Sequence, residues 1–343
     1  MKQHAASPSA HVRLRRAARQ AGTWLLVIVG LLTGLVFYGL LLLDRPQPVD
    51  IPLVKAEALP EIAWDTEPPS PGAPGQALSF HPDFPIIRID RKDPQVENIL
   101  LVGLEQHSPA GILVVSCDRR RQSVRLAAVL GSCQTALRGR SQPEPLASAF
   151  AYGGIGHLVN TCNETLGLDI QRFVLFDLAA VPALADRLGG LSLTVREAEV
   201  TALLESPDAA RRCVGQSLSV SNEPQRLDGR QVSVWASLDE PFLDETRTPR
   251  THAVLTGLTL LACRSPLIAL QLLDEGLDDC ATNMSVFEMA KLAGQFLIYP
   301  ADEPVLRVPG EGLFAQQDEP WRLTVSWEQQ KAGLHAFVWG DAP

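Results

Sequence analysis

The sequence predicts an α/β domain, a mixed sheet covered by helices, behind a single transmembrane helix near the N-terminus. Short apolar runs alternate with segments of helical periodicity from residue 98 onward, and one longer uncharged run precedes them. Hydrophobic residues make up 46% of the 343, enough to bury one large core or two small ones. The charged fraction, 20%, is too low for a disordered chain.

The longer uncharged run covers residues 23–43. As a helix, it crosses about 30 Å of hydrocarbon. Five cations and no acid precede it, so the positive-inside rule places residues 1–22 in the cytoplasm as a basic tail. No small-residue cleavage site follows Leu43, which favours an uncleaved anchor over a signal peptide. We therefore expect a single-pass protein of the cell membrane whose main domain is extracytoplasmic.

The predicted extracytoplasmic part is acidic, because it holds 25 of the 30 cations and all 39 acids, a net charge of −14. This balance excludes general nucleic-acid binding. An oxidising compartment permits up to three disulfides among the cysteines found there, and the sequence does not select the pairs. Buried thiols are the alternative for Cys117 and Cys162, which lie in apolar periodic segments. The six cysteines are Cys117, Cys133, Cys162, Cys213, Cys263 and Cys280.

Residues 44–92 are rich in proline and acids and predict a stiff linker, with a short edge strand at residues 86–89. The compact domain is expected to cover residues 93–343. Its predicted strands are residues 98–104, 111–117, 124–129, 173–176 and 191–195, the second and third of which form a hairpin. Its predicted helices are residues 155–166, 179–188, 229–236, 250–263 and 285–296, the last with a capping box from Ser285 to Glu288.

Six short motifs, in this order, make the chain resemble the LytR-CpsA-Psr family across residues 98–343. They are Asn98-Ile-Leu-Leu-Val-Gly103, Ala149-Phe-Ala-Tyr-Gly-Gly154, Leu188-Gly-Gly-Leu191, Leu227-Asp-Gly-Arg-Gln231, Asp244-Glu-Thr-Arg-Thr-Pro-Arg250 and Thr282-Asn-Met-Ser285. The resemblance implies an α-β-α sandwich that holds a polyprenyl-pyrophosphate lipid and transfers the attached glycopolymer to peptidoglycan. Arginines and Mg²⁺ are then expected to bind the pyrophosphate, since guanidinium groups pair bidentately with phosphate oxygens.

Several groups that this chemistry needs are replaced. By resemblance, the acid of the second strand corresponds to Ala110, and a phosphate-binding arginine with a second acid corresponds to residues 130–133, including Ser132. Residues 237–239, behind Trp235, stand where the family has two arginines. Because Ala110 and Ser132 carry no carboxylate, binding of Mg²⁺ is doubtful, and no metal ligands are assigned.

The remaining candidates follow from the same resemblance. Asp244, Arg247 and Arg250 are the expected catalytic residues; their alternative is an ion-pair cluster at a helix start, where acids favour the dipole. Glu105 stands where an aspartate ends the first strand. The other expected substrate-binding residues are Arg138 and Arg140, which follow the lost arginine, and Tyr152, before two glycines that form either a phosphate nest or a tight turn.

Three further patterns carry weaker hypotheses. Cys133 is a possible nucleophile with His107 or His157, although a disulfide or a buried thiol fits it better. Residues 239–245 are acidic enough to attract a divalent cation but lack the spacing of a calcium loop. Two functions follow: a membrane-anchored glycopolymer ligase with an altered site, or a non-catalytic lipid-binding or scaffold module of the cell envelope.

Overall fold

The computed structural model describes residues 49, 51–59, 84–205, 223–236, 250–264, 280–299, 301, 305–317 and 322–340. The chain divides into Met1–Pro46 and Gln47–Pro343, and all described residues belong to the second unit. No helix among the described residues is long and apolar enough to span a bilayer. The predicted anchor, residues 23–43, lies outside them. The anchor and the domain boundaries therefore stay predictions.

The described strands and helices alternate along the chain. In order, the strands are β1 (Leu53–Val54), β2 (Ile86–Ile87), β3 (Val96–Glu105), β4 (Ser108–Asp118), β5 (Ser123–Val129), β6 (Cys133–Thr135), β7 (Glu144–Pro145), β8 (Arg172–Asp177), β9 (Leu191–Thr194), β10 (Pro224–Leu227), β11 (Cys280–Thr282), β12 (Leu306–Val308), β13 (Phe314–Gln317) and β14 (Arg322–Val325). The helices are α1 (Ser148–Leu166), α2 (Val181–Arg187), α3 (Glu197–Glu205), α4 (Gly229–Ala236), α5 (Arg250–Arg264), α6 (Val286–Ile298) and α7 (Trp327–Trp339).

The centre of the domain is a six-stranded sheet in the order β11-β8-β3-β4-β5-β12. The pairs β3–β8 and β5–β12 are parallel and the other three are antiparallel, which confirms the predicted mixed sheet. The predicted hairpin is confirmed as β4–β5. Strand β9, predicted as residues 191–195, pairs instead with β10 in a separate two-stranded sheet.

Helices cover both faces of the central sheet because its strands are apolar on both sides. On one face, Ile155 and Leu158 of α1 and Leu334 of α7 join the core cluster that contains Leu100 and Val114. On the other face, residues of α5 and α6 join the cluster of Leu113, Val115 and Leu126. This arrangement is the layered α/β fold that the resemblance implies.

Most predicted helices form, with two differences and two omissions. The predicted helix at residues 179–188 is a 3-10 turn, Leu178–Ala180, followed by α2. Helix α1 begins at Ser148 and contains a break at Gly153 and Gly154, so its regular part is the predicted one. The sequence did not indicate α3 or α7, and α7 has no side-chain hydrogen bond at its N-cap.

Part of the proline-rich segment packs against the domain. Strand β1 pairs with β2 in parallel, and Ile86 is fully buried in the core. Asn160 of α1 accepts a hydrogen bond from the Ile87 amide (2.8 Å) and donates one to the Pro85 carbonyl (2.9 Å). A Cβ atom at Gly156 would lie 1.7 Å from the carbonyl oxygen of Phe84. The segment can approach α1 this closely only because residue 156 lacks a side chain.

We expect Gly156→Ala to lower the free energy of unfolding by roughly 2 kcal/mol, because the added methyl group must displace the Phe84 backbone. The matched control is Gly333→Ala in α7, where a Cβ atom has no neighbour within 4 Å. Alanine is the better helix former, so the control should gain up to about 1 kcal/mol. Urea unfolding of the full chain in detergent measures both values, and equal stability of the two variants would contradict the predicted close contact.

Candidate functional site

The start of helix α5 lies against the edge of the sheet where β4 begins and β5 ends. The Thr251 hydroxyl donates a hydrogen bond to the Ala110 carbonyl oxygen (2.7 Å). The His252 Nε2 atom lies 2.8 Å from the Val129 carbonyl oxygen and 3.2 Å from the Ile112 amide nitrogen. The structure thus places Thr251, the residue after Arg250, against Ala110, where the resemblance expects an acid.

Strand β4 bulges at Ala110. Gly103 pairs with Gly111, whereas Leu104 pairs with Pro109, so Ala110 is the extra residue. A bulge of this kind redirects a side chain and is common beside functional sites. The side chain presented here is a methyl group, so the bulge supplies no metal ligand or proton acceptor.

Residues 130–133, the second replaced segment, pass from β5 to β6. The Ala147 amide donates to the Gly131 carbonyl oxygen (3.0 Å), which places this segment beside the start of α1. Burial raises the pKa of Cys133 to about 12, and the nearby Arg307 lowers it only in part. The thiol is therefore neutral, and the hypothesis that Cys133 is a nucleophile is wrong because the thiolate is the reactive form.

Cys162 is likewise a buried thiol, as one of the two alternatives predicted. Burial raises its pKa to about 12. Because Cys133 and Cys162 are both unpaired thiols, fewer than the three permitted disulfides can form.

The part of the chain that the structure describes offers few ligands for Mg²⁺. Those residues contain no group of three or more His, Cys, Asp or Glu side chains placed to hold a metal ion. Ala110 and Ser132 supply no carboxylate, so they do not fit Mg²⁺. Asp244, Arg247 and the acidic residues 239–245 lie outside the described residues. Mg²⁺ therefore stays a prediction of the resemblance, and we assign no chemistry to it.

Arg250 is held by a buried carboxylate that the sequence did not reveal. Its Nε atom donates to Glu199 Oε1 on α3 (3.2 Å), and Glu199 also accepts hydrogen bonds from Arg196 (2.7 Å) and from the Trp235 indole (3.1 Å). The Glu199 side chain is only 3% exposed and that of Arg250 is 12% exposed. Two arginines from different segments of the chain thus share this buried acid.

The Glu199 carboxylate is charged despite its burial. Burial raises its pKa, but the hydrogen bonds from Arg196, Trp235 and Arg250 together lower the pKa to about 2. The alternative for Arg250, an ion pair with the acids near its own helix start, involves residues outside the described ones and stays open. The Arg250–Glu199 pair is buried, and it connects α5 to α3.

Arg140 and Tyr152 meet at a second acid. Glu144 accepts a hydrogen bond from Arg140 (2.6 Å) and one from the Tyr152 hydroxyl (2.8 Å), and the Arg140 guanidinium lies 4.3 Å from the centre of the Tyr152 ring. Burial raises the pKa of Tyr152, and so does Glu144. Arg138 instead pairs with Glu164, near the end of α1. The structure therefore brings Arg140 and Tyr152 together but directs Arg138 elsewhere.

The glycines after Tyr152 form the break in α1. Gly154 has φ 62° and ψ −159°, a conformation that glycine alone adopts easily. Both Gly153 and Gly154 are buried, and a Cβ atom at Gly153 would lie 2.7 Å from the Cβ of His157. This covering favours a tight turn over a phosphate nest.

Glu105 lies at the tip of the β3–β4 hairpin, at the same edge of the sheet as Ala110. It pairs with Ser108, and the two residues between them, Gln106 and His107, both have positive φ. Such a two-residue turn matches the twist of the strands. The Glu105 side chain is exposed. Its position is compatible with contact to a ligand at this edge, and its role stays a prediction.

A sequence profile described as the LytR_cpsA_psr family matches residues 82–324, which is well over half of the chain. The chain belongs to this family. Among curated proteins, this LytR-CpsA-Psr protein is 22% identical over 219 residues to the polyisoprenyl-teichoic acid–peptidoglycan teichoic acid transferase TagU of Enterococcus faecalis, a match that covers 60% of this chain and 67% of TagU. A TagU of Halalkalibacterium halodurans is 24% identical over 111 residues, which are 31% of this chain and 36% of that relative.

Solved structures of the family share the fold of this LytR-CpsA-Psr protein. The crystal structure of Bacillus subtilis TagT superposes with a TM-score of 0.56 at 16% identity and covers 73% of this chain and 95% of TagT. YwtF (TagT) with bound octaprenyl pyrophosphate superposes with a TM-score of 0.53, again at 16% identity, and covers 73% of this chain and 94% of that one. At this identity, the likeness establishes the fold alone.

We expect Glu199→Gln to cost about 3 kcal/mol of folding free energy at neutral pH, the value of lowering the pKa from 4.5 to about 2. A lowered carboxyl pKa stabilises the fold fully above pH 4.5, and this stabilisation is lost as the pH falls from 4.5 to about 2. The variant should therefore show a flatter pH dependence in that window. Chemical unfolding at several pH values measures it, with the exposed Glu105→Gln as the neutral control. A wild-type slope in Glu199→Gln would contradict the assignment.

His157 should make the fold sensitive to acid. Burial, and then the charge of Arg138, lower its pKa from 6.5 to about 4. A histidine with a lowered pKa destabilises the fold as the pH falls from 6.5 to about 4. Neither ring nitrogen has a hydrogen-bond partner in the described part of the chain. His157→Leu should thus retain stability at pH 7 and lose part of the slope below pH 6.5, whereas the exposed His107→Asn should keep the wild-type slope.

Proposed function

We propose that this protein is held in the cell membrane by residues 23–43 and binds polyprenyl-pyrophosphate-linked glycopolymer outside the cell, for attachment to peptidoglycan. In this proposal, phosphotransfer is weakened or lost. Family membership supports it, together with the relatives named as teichoic acid transferases and the TagT structure with bound octaprenyl pyrophosphate. The observation that carries it is the buried Glu199 carboxylate, which holds Arg250 at the start of α5, one residue before the Thr251 contact with Ala110.

Binding and transfer make different demands on this site. A pyrophosphate needs cations, and Arg250 is in place, with Arg247 three residues before it in the sequence. Burial of the lipid tail adds about 25 cal/mol per Å² of apolar surface and does not depend on arginines. Transfer also needs groups that stabilise developing charge, and loss of one such group commonly costs on the order of a hundredfold in rate. Ala110 and Ser132 remove two of the expected acids together, so we expect transfer to suffer more than binding.

The second candidate function is a non-catalytic lipid-binding, regulatory or scaffold module of the cell envelope. The methyl group at the Ala110 bulge and the neutral thiol of Cys133 favour it, because neither side chain can act as a metal ligand or base. Glu144 pairs with Arg140 and offsets the positive charge with which this arginine would replace the lost phosphate-binding arginine. The two candidates differ in whether any glycopolymer is transferred.

Lipid that copurifies with the full chain in mild detergent should contain a polyprenyl phosphate or pyrophosphate, identified by mass spectrometry. The double variant Arg247→Ala/Arg250→Lys should lose at least tenfold of this lipid, because it weakens the expected headgroup contacts. Arg226→Ala, at an exposed arginine of β10, is the matched control and should retain it. Wild-type protein without any such lipid favours the scaffold function. Rapid transfer to peptidoglycan that depends on Arg247 contradicts the loss of catalysis.

A further inference from the structure

Helix α6 turns two large apolar side chains away from the core. Phe287 is 80% exposed and Ile298 is 70% exposed. Lys291, also exposed, and Gly294 lie between them at positions i+4 and i+7 from Phe287, and a Cβ atom at Gly294 would have no neighbour within 4 Å. Residues at this spacing share one face of a helix. The outer face of α6 therefore carries apolar groups at both ends and a cation between them.

Helix α6 packs on one face of the central sheet, across the end where β8, β3 and β5 begin. Its N-terminal side is fixed by Asn283, which accepts a hydrogen bond from the Phe173 amide at the start of β8. Lys291 reaches Glu97 near the start of β3 (3.6 Å), and Ala301, after the helix, forms a bridge with Val124 at the start of β5. Helix α6 thus crosses the sheet at the end of the strands opposite the Ala110 bulge.

The same end of the sheet is locally basic. Cations at the starts of β3 and α6 and in the β4–β5 turn outnumber their acidic partners by five to three. The surrounding extracytoplasmic sequence, by contrast, has a net charge of −14. The cations are Arg91, Arg119, Arg120, Arg121 and Lys291, and the acids are Asp93, Glu97 and Asp118.

The chain enters the described domain at this end. The Val49 amide donates a hydrogen bond to the Thr282 carbonyl oxygen (2.8 Å), three residues before Ser285, the N-cap of α6. The predicted anchor ends at Leu43, and the segment from Leu43 to Val49 reaches at most about 20 Å when extended. Only the five residues 44–48 separate the predicted anchor from the described domain.

We infer that the outer face of α6 and the basic β4–β5 turn form a docking surface for anionic lipid headgroups. Phe287 and Ile298 insert into the interface, and Lys291 with the turn arginines meets the negative surface, the combination used by interfacial helices. This inference rests on the anchor in the proposed function, but not on lipid-linked glycopolymer binding.

Amide hydrogen exchange of the full chain in nanodiscs tests the docking surface. Residues 286–298 and 118–122 should exchange at least fivefold more slowly in discs that contain phosphatidylglycerol than in discs of phosphatidylcholine alone. Phe287→Ser/Ile298→Ser and Arg120→Ser should each reduce this difference, and Arg226→Ser, an exposed arginine elsewhere, should not. All four side chains are exposed, so the variants should melt at the wild-type temperature.

Three results overturn the inference in distinguishable ways. If the chain does not coelute with the discs, the proposed anchor is wrong as well as the docking surface. If the chain coelutes but its amides exchange equally fast in both lipids, the docking surface is wrong and the proposed anchor stands. Protection of residues 286–298 that appears only with two chains per disc, in either lipid, identifies the surface as a contact between copies of this protein.

Discussion

The close approach of helix α5 to the β3–β4 hairpin is the constraint on which the arrangement of the site depends. Gly103 and Gly111 face each other across the hairpin, and a Cβ atom at either position would lie 3.0 Å or less from the Leu255 side chain. Because Leu255 occupies this space, the first turn of α5 reaches the Ala110 carbonyl. Glycine at two paired positions of the sheet thus allows the helix of Arg250 to pack this closely against the hairpin.

The charged side chains at the start of α5 are held by a buried acid, Glu199. Glu199 is nearly buried and fully ionised at neutral pH, and its hydrogen bonds with Arg196, Arg250 and Trp235 join three helical segments. A buried carboxylate with these partners orients an arginine, but it also offsets part of the positive charge that a phosphate group would meet. The Glu144 pair with Arg140 has the same two effects beside Tyr152. Arg250 and Arg140 are therefore both well positioned, and each is paired with an acid.

The sequence predicted those elements whose signals are local. The β4–β5 hairpin follows from alternating apolar residues around a polar turn, and the capping box from Ser285 to Glu288 fixed the start of α6 correctly. The Arg250–Glu199 pair was not predictable because its residues are 51 positions apart and α3 has no strong start signal. The proline-rich segment indicated a linker with one short strand at residues 86–89. It did not indicate β1, which is stabilised by its pairing with β2 rather than by its own periodicity.

The bulge at Ala110 separates the architecture of the site from its reactivity. The backbone of this residue is fixed by its carbonyl group and by the pairing of its neighbours, so the fold makes no use of the side chain. An acid at this position can be exchanged for alanine without disturbing the sheet, and the reverse exchange is equally open. A family with such a bulge at its site can include members that keep the fold without the reactive side chains. A few substitutions are then enough to separate a binding protein from an enzyme.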